Sequence, residues 1–493
     1  MPVDLDELLS SMHRQADAIP LGSPEQARRR GRRRSQARAM VSVAAAVTLA
    51  AAGLSVTTWR DGHSRQTTPP AATGGQLPSV GAPIAGPISY PEQGFPSFAA
   101  IDGERAYAAW ADKDGMRILG ADARTGAATW PAQKPTGSGE FGGFQAVAGM
   151  VMVSLEHNDG TDPDRTEYGF DGVTGAQRWS QPFDVADDTL FSDRVYVHMV
   201  AATGQTEGFD VHSGAKLWKQ PAGSDRPVSS AVLYTPADEQ RATQYGLPSA
   251  ASTDRFAQVT RSGKVQVRRM STGELVQSLP ADVKADTTFS DLTVYDGWAY
   301  FVESGPAKGT DQYGTRNTLS RVHAVDLSGG TATSVVHEIG PGIRTVADLT
   351  PCGPGRVCVL EQDGDEPPTV AAVDVQKRRR LWRTPAPDGS AWLSSLGGRT
   401  LVSGDEGAAF YDENGRETFR HAGQVGWLDS GHLLMVMAPA GEGQATRMVK
   451  VTAATDARTV LGETPAITGR CGFTAERLAC ATKDGLEMWD LTG

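Results

Sequence analysis

The four cysteines are the most reactive side chains of this 493-residue chain, and they fall as two close pairs. Cys352 and Cys358 bracket the turn of PCGPGRVCV, and Cys471 and Cys480 bracket that of RCGFTAERLAC. Each pair lies on what reads as adjacent strands of a hairpin, where cross-strand approach suits a disulfide. Bonds are expected within the pairs and not between them, which requires an oxidising compartment. Loops this short contribute at most about 2–3 kcal/mol each in the chain-entropy view. Zinc is the competing chemistry, but no histidine stands at ligand spacing beside either pair.

A second set is acidic. Asp112, Asp114, Asp159, Asp162, Asp164, Glu361, Asp363, Asp365, Glu366, Asp405 and Glu406 all fall in or beside connecting segments. The candidate binding rim drawn from them is Asp159, Asp162, Asp164, Asp363, Asp365 and Glu366, which would attract a cation, a basic peptide or a cell-envelope component. The plainer reading is that connections are polar and that Asp-Gly suits turns. The run 159–164 has some calcium-loop character, but calcium needs six or more oxygens in a fixed arrangement, and no metal is expected. His157, His198, His323 and His432 are scattered in or beside strands and read as structural. G-x-S-x-G, H-E-x-x-H and a phosphate-cradling glycine loop are all absent.

The elements that must position these groups come from a repeat. ADARTGAATW, FDGVTGAQRW and FDVHSGAKLW share Asp, then Gly four residues on, then Trp eight residues on. These are Asp122, Gly126 and Trp130; Asp171, Gly175 and Trp179; Asp210, Gly214 and Trp218. VDVQKRRRLW keeps Asp374 and Trp382 but has Arg378 in place of the glycine. Weaker copies surround Gly273, Asp326, Asp412 and Asp456, and the chain closes on MWDLTG with Asp490. An alternating strand enters each copy, Asp accepts hydrogen bonds from the turn, Gly supplies positive φ, and the Trp strand packs on the next unit. With a further β-rich pair upstream of each copy, the unit is four short antiparallel strands, the blade of a β-propeller. The expected fold is all-β, a single propeller over 97–493 following one N-terminal transmembrane helix. Nine motif copies are counted; eight blades is the favoured ring and nine the alternative. The ninth copy lacks an outer strand, which residues 86–96 would have to supply.

The FD-x-x-TG-x-x-x-W copies resemble the repeat of pyrroloquinoline-quinone-type (PQQ-like) propellers, the group that includes the outer-membrane assembly lipoprotein of Gram-negative bacteria. The resemblance covers about four-fifths of the chain and implies the fold more than the activity, because many such propellers bind no quinone. Quinone-dependent dehydrogenases of this type carry a disulfide between directly adjacent cysteines, and no two cysteines here are adjacent. PQQ is therefore not an expected cofactor.

The compartment follows from residues 39–58, AMVSVAAAVTLAAAGLSVTT, an uncharged run of bilayer-spanning length. Arg28, Arg29, Arg30, Arg32, Arg33, Arg34 and Arg38 precede it and Trp59 follows, which by the positive-inside rule keeps the tail cytoplasmic. The organisation expected is a cytoplasmic Arg-rich tail over 1–38, a transmembrane helix over 39–59, a Pro/Gly-rich flexible linker over 60–96 and an extracellular propeller over 97–493. A cleaved signal peptide is the rival, although 38 residues is long for an n-region. Residues 61–493 carry 38 basic and 53 acidic side chains, a balance that repels nucleic acid. With 10 Lys against 37 Arg, the coding bias fits a GC-rich bacterial genome. The function expected is a membrane-tethered, non-catalytic scaffold for an unknown protein, peptide or envelope ligand, with a quinone- or metal-dependent oxidoreductase as the alternative. The ligand-binding face is expected to carry the long connections 156–166, 235–252, 303–319 and 361–368, all read as joining second to third strands.

Overall fold

Each Asp–Gly–Trp copy closes a meander of four antiparallel strands, and neighbouring meanders pack face to face. The computed structural model describes residues 83–90 and 97–491 apart from short stretches, the longest of them 158–163, 242–249 and 438–444. Residues 1–82, with the tail, the apolar run and most of the linker, lie outside the described residues. Among the described residues no helix is long and apolar enough to cross a membrane.

Nine blades are present among the described residues: 97–133, 140–183, 188–220, 227–279, 288–339, 344–385, 390–421, 424–464 and 467–490, numbered 1 to 9 in chain order. The favoured count of eight is thus corrected to nine, because every motif copy marks a blade. First strands of neighbouring blades lie side by side, in parallel register at Phe98↔Arg470 between blades 1 and 9 and at Leu233↔Val294 between blades 4 and 5. Blade 9 contributes three strands of its own. Its fourth position is taken by the chain near Ile88, which bridges Leu486, while Ile84 N donates to Met488 O at 2.9 Å. The sequence places this closing segment at 86–96; the pairing found involves Ile84 and Ile88. One apolar cluster joins blades 9, 1 and 2 through Leu486, Met488, Trp110, Trp130 and Tyr168, so the ring closes on buried side chains as well as backbone.

The repeat residues explain the interface. Asp122 Oδ1 accepts from the amides of Arg124 and Thr125 at 2.9 Å, and Asp171 Oδ1 from those of Val173 and Thr174 at 2.9 Å. The indole N–H of each motif tryptophan then donates to a turn carbonyl of the following blade. Trp130 reaches Gly172 O at 3.2 Å, Trp179 Val211 O at 2.8 Å, Trp218 Met270 O at 2.6 Å and Trp382 Glu413 O at 3.1 Å. Two glycines make room for the ring. A Cβ on Gly169, two residues before Asp171, would overlap the Trp179 ring from its own blade, and one on Gly214 would overlap it from blade 3. The motif glycine therefore serves the turn, at φ of 67–72° in blades 1 to 3, and in blades 2 and 3, as Gly175 and Gly214, also the seat of the preceding blade's tryptophan.

In blade 6 the turn position is held by Arg378 at φ 49°, exposed and left-handed. A side chain there costs about 1–2 kcal/mol, against the 0.5–1 kcal/mol of backbone entropy that glycine would lose. Arg378→Gly is expected to raise stability by about 0.5–1 kcal/mol, read as a higher urea midpoint at unchanged slope. A lowered midpoint would show that the arginine contributes a contact outweighing the strain.

Candidate binding faces

Antiparallel order sends the second-to-third and blade-to-blade connections to one face and the first-to-second and third-to-fourth turns to the other. On the first, here the loop face, segment 156–166 joins the second and third strands of blade 2, and 303–319 does so in blade 5. The blade 5 insertion contains a hairpin of its own, Ala307–Asp311 paired with Gly314–Asn317. Segment 361–368 is also a second-to-third connection, but it is an extended hairpin: the strands run to Asp363 and resume at Glu366, which pair with each other. Segment 235–252 does not belong to this face. It lies between Pro227–Tyr234, the first strand of blade 4, and Arg255–Thr260, the second, and so emerges on the turn face. The expectation of one loop-bearing face is corrected accordingly. Both flanking runs are apolar strands of similar length, and only their pairing reveals which is innermost.

Of the rim acids, Asp164 is half-buried and its carbonyl accepts from His157 N at 2.7 Å. Glu366 is exposed. Asp159, Asp162, Asp365, Asp405 and Glu406 lie outside the described residues, as does the side chain of Asp363. Asp112 accepts from Arg117 Nε at 2.7 Å and from Asp114 N at 2.8 Å. Burial would raise its pKa, but these bonds and the cations Arg117 and Lys134 hold it below the usual range. Glu361 is not a rim residue. It is buried, accepting from His337 Nε2 of blade 5 at 2.8 Å and from Arg383 Nη2 of its own blade at 2.8 Å.

The histidines are likewise absorbed into the scaffold. His323 Nε2 and Glu303 Oε2 are 2.7 Å apart and wholly buried, with Phe301 stacked on the imidazole. His198 meets Asp187 at 2.7 Å, His157 meets Thr166 Oγ1 at 2.9 Å and His432 meets Asp429 at 2.9 Å. Cys352 and Cys358 are bonded across the first-to-second turn of blade 6; Cys471 and Cys480 are bonded as directly opposed residues in the first two strands of blade 9. Among the described residues no group of three or more His, Cys, Asp or Glu is placed to hold a metal ion.

Sequence reasoning missed Asp348, on the first strand of blade 6. Burial pushes its carboxyl up to about 7 and the Asp291 charge adds to this, against backbone hydrogen bonds from Leu393 at 2.6 Å and Leu349 at 2.8 Å. The available signal was the shared Asp-Leu-Thr of 291–293 and 348–350 in neighbouring first strands. Because folding raises this pKa, ionising Asp348 costs stability, and the cost grows as pH rises from about 4 through 7.

The family model that matches is described as outer membrane protein assembly factor BamB, over residues 114–293. No curated protein matches the chain. Among solved structures, BamB from Moraxella catarrhalis is 16% identical with a TM-score of 0.42, covering 81% of this chain and 97% of its own. The computationally designed Ika8 protein is 13% identical with a TM-score of 0.43, covering 71% and 96%, and Saccharomyces cerevisiae Sqt1 is 10% identical with a TM-score of 0.43, covering 77% and 97%. The Asp–Gly–Trp geometry and the closed ring make this chain a β-propeller, and over residues 114–293 its repeats are similar to those of that family model.

Proposed function

We propose that the protein is a non-catalytic scaffold that binds a protein partner on its loop face, tethered to the plasma membrane by residues 39–59 with the propeller outside the cytoplasm. The observation that carries this reading is the blade 5 hairpin at 307–317, extra chain set on the loop face of a closed ring, where loops on a rigid scaffold are suited to recognition. The match of 114–293 to an assembly-factor family supports a partner-binding role. The apolar run, its arginine flank and the two disulfides support the placement. The acidic connections favour a partner with a basic surface, so capture should weaken as salt rises and screening shortens to about 8 Å.

Photo-crosslinkers placed at Glu366 on the loop face and at Val173 on the turn face, in full-length protein on whole cells, test the face. Adducts from Glu366 that fade with salt support the reading; adducts from Val173 alone overturn it. Replacing Asp363, Asp365 and Glu366 together by alanine is expected to reduce capture while leaving stability within about 0.5 kcal/mol per site. Spectra with added pyrroloquinoline quinone and calcium separate the oxidoreductase alternative, which requires turnover.

A further inference from the structure

The 235–254 connection is out of proportion to its equivalents. In the other blades the first and second strands are joined by two to four residues. Here the chain departs through the 3-10 helix Pro236–Arg241 and returns through Ala250–Ala251, a short strand laid parallel to Phe191 and Ser192 of blade 3. The helix is pinned on both sides: Glu239 accepts from the Tyr295 hydroxyl of blade 5 and from Gly397 N of blade 7 at 3.0 Å. The ends of the insertion are fixed too. Asp296 N donates to Tyr234 O at 3.0 Å, and Thr253 Oγ1 donates to Leu233 O at 3.2 Å.

Between these fixed ends and the blade 5 turn at Gly297 lies a cavity of about 300 Å³. Leu233 and Val294 give it an apolar part, and Arg255 and Arg269 stand in its wall. The two arginines are directly opposite across a strand pair, an arrangement of like charges that destabilises a sheet. Their compensation is incomplete. Asp254 lines the same cavity, but its carboxylate already accepts from Ser271 N at 2.8 Å and Ser271 Oγ at 2.6 Å. Glu274 reaches Arg269 at 3.3 Å from an exposed position. Among the described residues, none pairs with Arg255.

We infer that this cavity binds a carboxylate on a short aliphatic stem. With Asp254 held by Ser271 and Arg269 met by Glu274, the Arg255 guanidinium is the one left over, and a single free guanidinium suits a monoanion better than a phosphate dianion. Guanidinium matches carboxylate geometry, and the volume is at the small end of ligand sites. The stem would lie against Leu233 and Val294. The carboxylate belongs to an acidic side chain or to a chain terminus of a protein.

Calorimetric titration of the full-length protein with N-acetyl-glutamate amide, N-acetyl-alanine and inorganic phosphate tests this and separates the sources. Binding of at least one of the two carboxylates, weakened about tenfold or more by Arg255→Gln and by Arg269→Gln, is expected, since a hydrogen bond to a charged group contributes about 1.5–3 kcal/mol. Arg416→Gln, in blade 7, should leave it unchanged. Relieving the opposed charges should keep the urea midpoint of Arg255→Gln at or above that of the parent, which separates loss of the site from loss of the fold. Absence of carboxylate binding, phosphate binding more tightly than either carboxylate, or affinity indifferent to both arginines would each overturn the inference.

Discussion

Trp179→Ala is expected to lower the unfolding free energy by about 3–5 kcal/mol, the range for deleting a large buried aromatic side chain. Trp179 is 7% exposed and lies between Gly169 of its own blade and Gly214 of blade 3. It stacks on Tyr196 at 5.1 Å, and Tyr196 stacks in turn on Phe209 at 4.8 Å. Alanine would empty the slot between two backbones, neither of which can close without moving its strand, and would leave Val211 O without its indole donor. Trp382→Ala is the internal comparison. Trp382 is only half-buried, Ala372 stands where the strong copies have glycine, and its N–H bond to Glu413 O lies at the surface. Its loss should cost about 1–2 kcal/mol. Denaturant midpoints measured side by side check both. A Trp179→Ala protein within 1 kcal/mol of the parent would mean that the blade 2–blade 3 interface does not depend on the motif tryptophan.

This contrast marks what the residues disclose in advance. Asp, Gly and Trp at fixed spacing declare the blade because each has a local reason to be there: a turn to cap, a positive φ to fill, a slot to occupy. The glycine two residues before each strong-copy Asp (Gly120, Gly169 and Gly208) was equally visible, but its reason is non-local, since only the folded pair shows the ring lying on it. The same holds for ring size. The ninth blade borrows its outer position from Ile84–Ile88, a pairing across the whole domain that no periodicity encodes. The two errors of face and role have one origin. Segment 235–252 and the run Glu361-Gln-Asp-Gly look like loops by composition, yet strand pairing sets the first on the turn face and keeps Glu361 inside a strand. The Arg255–Arg269 opposition could not be read before the register of blade 4 was known.

Glu361 therefore carries a prediction opposite in kind to that of a surface acid. Its side chain is 5% exposed and joins two blades: His337 donates from the outer strand of blade 5, while Arg383 and Thr369 donate from blade 6. Burial alone would raise its pKa, but the hydrogen bond and charge of His337 and those of Arg383 outweigh it and hold the carboxyl down to about 2. An unfolded glutamate titrates near 4.3, so the folded state favours the ionised form by roughly two pH units, on the order of 3 kcal/mol. The sign follows from the depressed value. The contribution is complete above about pH 5 and is lost as pH falls from there through about 2. Glu361→Gln keeps the shape but removes the charge that both donors face. Breaking a buried pair from one side costs about 3–5 kcal/mol, with glutamine at the lower end because its oxygen still accepts one bond. The variant should be less stable than the parent at pH 7 by about 2–3 kcal/mol, the difference should be roughly halved at pH 3, and the two should converge near pH 2. Glu366→Gln, exposed on the same hairpin, should stay within about 0.5 kcal/mol of the parent at pH 7. Urea midpoints across that pH range decide it. A Glu361→Gln difference that is constant from pH 7 to pH 3 would assign the cost to packing rather than to the charge holding blades 5 and 6 together.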